Sequence, residues 1–200
     1  MKKIIAVLLL VALMMFSMLA CTKSQETNIP PAKSQEEPVA NLEPDVVTFD
    51  FYANTDFLGN LQSSDTTCGA AVLAAKVNSL RAENPEGSAF FCLGDALSGT
   101  PIAALVQGRS VVEVYNAIPY DTFTLGNHEF DWGHEVLEST LQDFTLPVLC
   151  ANITYKETGA PIEGTIPYVI LVKNGVKIGV LGLTTEATPT IIRASYAEVL

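Results

Sequence analysis

The sequence predicts an α/β domain, a mixed β-sheet with flanking helices, behind an export signal and a polar tether. Three observations carry this reading. From Val46 onward, short β-branched and aromatic runs alternate with segments whose apolar residues recur at helical spacing. Asn174-Gly175 stands between two apolar runs, the signature of a tight antiparallel hairpin. Asp56, Asp95 and Asn127 each follow directly on a predicted strand, where open α/β sheets bind their ligands.

The first twenty residues, MKKIIAVLLLVALMMFSMLA, place Lys2 and Lys3 before an unbroken apolar run from Ile4 to Phe16, ending at the small residue Ala20. A charged start, a short apolar core and a small residue are the three parts of an export signal. Ala20-Cys21 resembles the lipobox of bacterial lipoproteins, so residues 1–20 read as a lipoprotein signal peptide with Cys21 as the lipidation site. Plain secretion and an uncleaved anchor are the alternatives. Residues 21–45 are rich in Pro, Ser, Gln, Glu and Lys and hold too few large apolar side chains to bury a core, so they read as a disordered tether. The protein is thus expected on the bacterial cell envelope, held to a membrane surface by acyl chains.

The folded part is expected over residues 46–200. VVTFDFYA from Val46 is a strand followed by the loop NTDFLGN. Gly69 to Glu83 reads as a helix with Ala71, Val72, Ala75 and Leu80 on its apolar stripe and Asn84-Pro85 as its stop. Ser88 to Leu93 is a short strand closed by Gly94-Asp95. Pro101 suits a first helical turn, and the pattern to Ile118 is helical. Asp121 to Leu125 is a strand running into GNHEFDWG, Gly133 to Asp143 a helix, and Leu146 to Cys150 a strand. Tyr168 to Val172 and Val176 to Leu183 form the hairpin that makes the sheet mixed. Alternation through the first four units argues for parallel pairing with helices on both faces.

Composition limits the function. With 22 acidic and 11 basic residues the formal charge is −11, and removal of the signal leaves nine basic residues and a charge of −13. Such a surface repels phosphate backbones, so no nucleic-acid polymer is expected as a partner. The chain has two histidines, which excludes any metal centre needing three imidazoles. Beyond Cys21 the cysteines are Cys68, Cys92 and Cys150, without the paired spacing of a zinc ribbon. Cys92 and Cys150 each end an apolar run and read as buried thiols on neighbouring strands, a disulfide after export being the alternative.

Gly94-Asp95 alone is as compatible with a helix or turn cap as with a ligand. GNHEFD is more specific, because it sets an amide, an imidazole and a carboxylate within one loop. An Asn oxygen can ligate a metal, His128 can donate to a phosphate oxygen, and Asp131 can orient the imidazole from its other nitrogen. His128-Glu129 with His134 is not a zinc-protease motif, because the second histidine comes six positions on rather than four. His134 is expected to face solvent in the first turn of its helix.

TDFLGN, LGDALSGTP, TLGNHEFDWG, PVLCANI and PYVILVKNGVKIGVLGLTTEATP, in this order, resemble the bacterial 5'-nucleotidase family of calcineurin-like metallophosphoesterases from Val46 to about Pro189. The resemblance implies part of that fold's βαβ architecture. It also implies two divalent metal ions (Zn, Mn, Mg or Co) and hydrolysis of 5'-nucleotides or related phosphoesters to nucleoside and phosphate. By the same resemblance Asp56, Asp95 and Asn127 are metal ligands, and His128 with Asp131 is the catalytic pair. Leu58 occupies the place of a metal-binding histidine in the family's first motif, and leucine cannot ligate. The family's further histidine motifs and its nucleobase-binding domain are not reached by Leu200, so the chain is expected to be the first part of a longer protein. Two other classes share these features in part. One is a degenerate envelope lipoprotein that binds a phosphate ligand or a partner without turnover, and the other is the ligand-binding lipoprotein of a transporter.

Overall fold

The computed structural model describes residues 46–200; the expected signal peptide over 1–20, the expected lipidation site Cys21 and the expected tether over 21–45 lie outside the described residues. Strands β1 (Asp50–Asn54), β2 (Ser88–Cys92), β3 (Thr122–Thr124) and β4 (Val148–Leu149) pair in parallel in the order β1-β2-β3-β4. Between them run α1 (Gly69–Glu83), α2 (Pro101–Ala104), α3 (Arg109–Ala117) and α4 (His134–Leu141). The hairpin β5 (Tyr168–Lys173) and β6 (Val176–Leu181) follows, then the short helices α5 (Thr188–Ile191) and α6 (Ala194–Ala197). Among the described residues no helix is long and apolar enough to cross a membrane.

Strand residues alternate between faces, and the register shows which share one. Tyr52 is opposite Phe90, Cys92 opposite Phe123, and Phe123 opposite Val148. This face carries the helix-covered core, while on the opposite face Ala89, Thr122 and Leu149 are also buried. The helix-covered face packs on Val77 of α1, Val111, Val112 and Tyr115 of α3, and Leu137 and Leu141 of α4. Complete burial of side chains such as Phe90, Phe123 and Tyr115 contributes about 1.5–3 kcal/mol each. The predicted helices on both faces are therefore corrected: α1, α3 and α4 gather on one side. On the other side Phe51 and Leu93 remain more than half exposed.

Strand pairs of both kinds are present, but they form two sheets. The β5–β6 hairpin is an antiparallel pair of its own, with Tyr168 opposite Leu181, and Asn174 and Gly175 both adopt positive φ as a type I′ turn requires. Its base lies against β4, where Ile166 donates to Val148 O at 2.9 Å and a methyl group on Gly182 would come within 2.3 Å of the Leu149 Cβ. Its tip reaches the start of β1 and β2, with Asn174 donating to Glu86 O at 2.9 Å and to Thr48 O at 3.0 Å.

Other differences have local causes. In α1 the inward stripe is Leu73, Val77 and Leu80, the larger side chains, while Ala71, Val72 and Ala75 face water. The long helix expected from Pro101 to Ile118 is two helices, because Gln107 (φ 49°) and Gly108 (φ 84°) turn the chain where it passes Leu97 and Trp132. Cys92 and Cys150 are buried free thiols, as read, but β3 separates their strands. Burial pushes the Cys92 pKa up to about 12, so this thiol stays protonated.

One ionic cluster ties the helical layer, the sheet and the hairpin. Arg81 of α1 donates to Asp121 at 2.6 Å, Lys173 of β5 donates to its other oxygen at 2.7 Å, and the Phe90 amide donates at 2.8 Å. The three charged side chains are 12–20% exposed, so removal of the carboxylate's charge leaves two cations poorly compensated. Asp121→Asn should lower the unfolding free energy by about 3 kcal/mol, measured as a lower urea midpoint at unchanged slope.

Candidate active site

The carboxyl ends of β1, β2 and β3 place three loops side by side, and their backbones meet directly. The pairing of β1 with β2 continues past the strands as Asp56 N to Gly94 O at 3.2 Å, Leu58 N to Asp95 O at 3.0 Å and Gly59 N to Ala96 O at 2.8 Å. Asp56, Leu58 and Asp95 all adopt left-handed backbone, with φ of 52°, 48° and 54°. Side chains other than glycine enter this region at a cost, and these interloop bonds hold them there. The loop after β3 lies as close: a methyl group on Gly126 would come within 2.2 Å of Asp95 Oδ1, so only glycine fits.

Glu129 holds these loops together. It sits in the single 3-10 turn His128–Phe130 and is 1% exposed. Its Oε2 accepts the amides of Asp95 (2.8 Å) and Gly126 (2.6 Å), and its Oε1 those of Ala96 (2.8 Å) and Leu97 (3.1 Å). Burial raises its pKa above the ordinary glutamate value, and the four donors act in the opposite direction. Its only sequence signal was an acidic residue set between His128 and Phe130, and the sequence reading assigned it no role.

Asp95 Oδ1 accepts the backbone N–H of His128 at 2.8 Å. The His128 ring places Nδ1 3.0 Å from Asp131 Oδ2, and the same oxygen accepts the hydroxyl proton of buried Ser98. The hydrogen bond with Asp131 raises the His128 pKa above its usual value; partial burial opposes it, and the charges of Asp131, Asp95 and Glu129 add to it. Asp95, His128, Asp131 and Ser98 therefore form one continuous chain of contacts. Ser98, within GDALSG, is a second member that sequence reading passed over.

The remaining predicted residues are placed differently. Asn127 is half-buried at the head of the 3-10 turn. Asp56 is exposed, and its carboxylate accepts from the neighbouring Thr55 hydroxyl at 2.8 Å. Leu58 packs against the loop after β2, where a methyl group on Gly99 would approach its carbonyl oxygen to 2.6 Å. His134 does not face solvent; it is half-buried, edge-on to the Tyr155 ring at 5.4 Å. Thr184 of the GLTT block donates to Leu125 O at 2.7 Å and exchanges two hydrogen bonds with Asn152, tying the chain after β6 to the end of β3.

As metal donors, Asp56, Asp95 and Asn127 offer oxygen only, a chemistry that suits hard divalent cations. Leu58 adds no donor, Asp131 engages the His128 ring, and among the described residues no three His, Cys, Asp or Glu side chains converge as a metal-binding group.

Solved structures with a similar fold include calcineurin-like phosphoesterases. The solved NAD nucleotidase of Haemophilus influenzae superposes with a TM-score of 0.64 and 31% identity, over 70% of this chain and 27% of that one. The calcineurin-like phosphoesterase of Bacillus subtilis gives 0.58 and 26%, over 71% of this chain and 50% of that one. Homologues in sequence are 5'-nucleotidases, bacterial ones among them. A probable 5'-nucleotidase of Treponema pallidum is 39% identical over 118 residues, 58% of this chain and 20% of the relative. A snake venom 5'-nucleotidase of Gloydius brevicauda is 38% identical over 136 residues, 66% of this chain and 23% of the relative. The chain spans about a fifth to a quarter of the length of these two relatives. No protein-family model matches it.

Glu129→Gln replaces one acceptor oxygen by an NH₂ and strands two of the four amides it holds. The expected cost is about 2–4 kcal/mol, read as a lower urea midpoint together with faster hydrogen exchange at the amides of residues 94–97.

Proposed function

We propose that this chain carries the phosphate-facing rim of a divalent-metal-dependent phosphohydrolase of the 5'-nucleotidase type, acting on 5'-nucleotides or related phosphoesters at the bacterial cell envelope. The supporting observation is the chain of contacts from Ser98 through Asp131 to His128 and Asp95, at the strand ends of a domain whose homologues are 5'-nucleotidases. Asp131 engages Nδ1 of His128 and leaves Nε2 as the ring's free nitrogen. The hydrogen bond with Asp131 stabilises the imidazolium, and in that form Nε2–H donates to a phosphoryl oxygen as negative charge builds there. Ser98 holds Asp131 from the buried side, so the ring is oriented before substrate arrives. Asp56, Asp95 and Asn127 are the residues that would hold a cation, which supplies Lewis acidity and charge neutralisation when bound. A chain of formal charge −11 repels nucleotides, so that neutralisation is also what admits the substrate.

Leu58 supports a second reading, an envelope lipoprotein that binds a phosphate ligand or partner without turnover. The full-length protein, assayed with Mn²⁺, Mg²⁺, Zn²⁺ or Co²⁺ against AMP and an aryl phosphate, should release phosphate, and His128→Ala should lower kcat about 10²–10⁴-fold. Absence of release under every metal favours the second reading. Leu58→His should raise bound metal, measured by elemental analysis; unchanged metal content counts against a site that lacks only this donor.

The envelope location rests on the signal and on Cys21. Fatty-acid labelling of cells expressing the protein should mark it, and Cys21→Ala should abolish the label while leaving a secreted or uncleaved form.

A further inference from the structure

The turn that joins β5 to β6 carries chemistry as well as shape. Of the asparagines in the chain, Asn174 alone is followed by glycine. Glycine has no Cβ to shield its main-chain nitrogen, so Gly175 N is the least hindered nucleophile placed next to an asparagine side chain. Both residues are exposed, and nothing lies within 4 Å of a Cβ built on Gly175, so water and base reach the turn.

In the folded protein the Asn174 side chain is engaged. Its Nδ2 donates to Thr48 O at 3.0 Å, and its backbone N–H donates to Glu86 O at 2.9 Å. Nδ2 also lies over Gly87, where a methyl group would collide with it and with the side-chain amide of Asn84. Asn84 in turn donates to Asp50 Oδ2 at 2.8 Å and accepts the Gly87 N–H at 3.0 Å. The hairpin tip is therefore docked on the start of β1 and on the turn before β2 through one amide group. A carboxylate in its place has no proton to donate. It would set an acceptor against the Thr48 carbonyl and bring a second negative charge to the neighbourhood of the Asn84–Asp50 pair.

We propose that Asn174 is a site of spontaneous deamidation, and that the product undocks the hairpin tip. The Gly175 nitrogen, having given up its proton, attacks Asn174 Cγ; the bond from Cγ to Nδ2 breaks, and Nδ2 departs as ammonia with that proton, leaving a five-membered succinimide. Solvent water then adds to one of the two ring carbonyls and opens the ring to aspartate or isoaspartate, with no change of oxidation state. The isoaspartate product also routes the main chain through Cγ, which lengthens a two-residue turn and spoils its I′ geometry. Attack requires the Asn174 amide to leave Thr48 O, so the reaction runs through a transiently lifted tip. Each event removes the bond that would dock it again. Lys173, the residue before the turn, binds Asp121, so the tip and the ionic cluster are neighbours in the chain. The site stands apart from the phosphohydrolase reading of the rim.

The full-length protein is incubated at mildly alkaline pH, native and in urea, and each asparagine is followed by peptide mass spectrometry with isoaspartate resolved by chromatography. Asn174 should convert ahead of Asn78, Asn127 and Asn152. Its conversion should be about tenfold slower in native buffer than in urea, the protection that two hydrogen bonds give to a locally opening tip. Native protein enriched in the product should exchange hydrogen faster in the peptides spanning residues 46–52 and 168–177. Asn174→Asp should show that faster exchange from the outset. Asn174→Gly, which keeps a residue suited to positive φ but has no side-chain amide, should show no change with time. Conversion at Asn174 no faster than at Asn78, or equal rates in native buffer and in urea, overturns the gated site. Conversion that leaves exchange unaltered in both peptides overturns the undocking.

Discussion

The rim depends on one buried carboxylate accepting four backbone amides. Glu129 reaches from the loop after β3 into the loop after β2, and each of its oxygens serves two donors. Without it, the buried N–H groups of Ala96 and Leu97 and the part-buried ones of Asp95 and Gly126 would lack partners. The strained backbone of Asp95 is possible because its amide is held on one side by Glu129 and its carbonyl on the other by Leu58. Gly94 and Gly126 make the approach sterically possible, and the carboxylate makes it favourable. A carboxylate on the rim is thus positioned by a residue that itself never reaches the surface.

Much of the architecture was legible in the sequence because local pattern and tertiary burial agree there. The bounds of α1 follow from Gly69 and Asn84-Pro85, the hairpin from Asn174-Gly175, and the strands from AFFC and PVLC. What was not legible depends on partners distant in the chain. Alanine is apolar but small, so Ala71 and Ala75 mimicked a stripe that Leu73 and Val77 occupy. No local signal announces that Gly108 must pass Leu97 and Trp132, which splits the expected long helix. Of the site, Asp95, His128 and Asp131 were readable as chemistry-bearing types after strand ends. Glu129 and Ser98 were not, because their work lies in hydrogen bonds across 30 or more residues.

Similarity and geometry bear on different links of the argument. The comparisons establish the fold and the kinship to 5'-nucleotidases over about two thirds of the chain or less. The geometry shows that the imidazole side of the rim is assembled, with orientation supplied by Asp131 and Ser98. The oxygen side is sparser, with Leu58 packed on its neighbours and Asp56 turned to Thr55.

The hairpin has a consequence for the behaviour of the protein in solution. On one face of β5, Tyr168, Ile170 and Val172 alternate, each more than half exposed, and β6 pairs only with β5 among the described residues. Open main-chain donors and acceptors beside a greasy ribbon recruit strands from other molecules. The one charge that β6 carries against such recruitment is Lys177, within VKIGVL. Pairing at this edge is therefore opposed locally by one ammonium group, and conditions that neutralise or screen it favour intermolecular strand pairing.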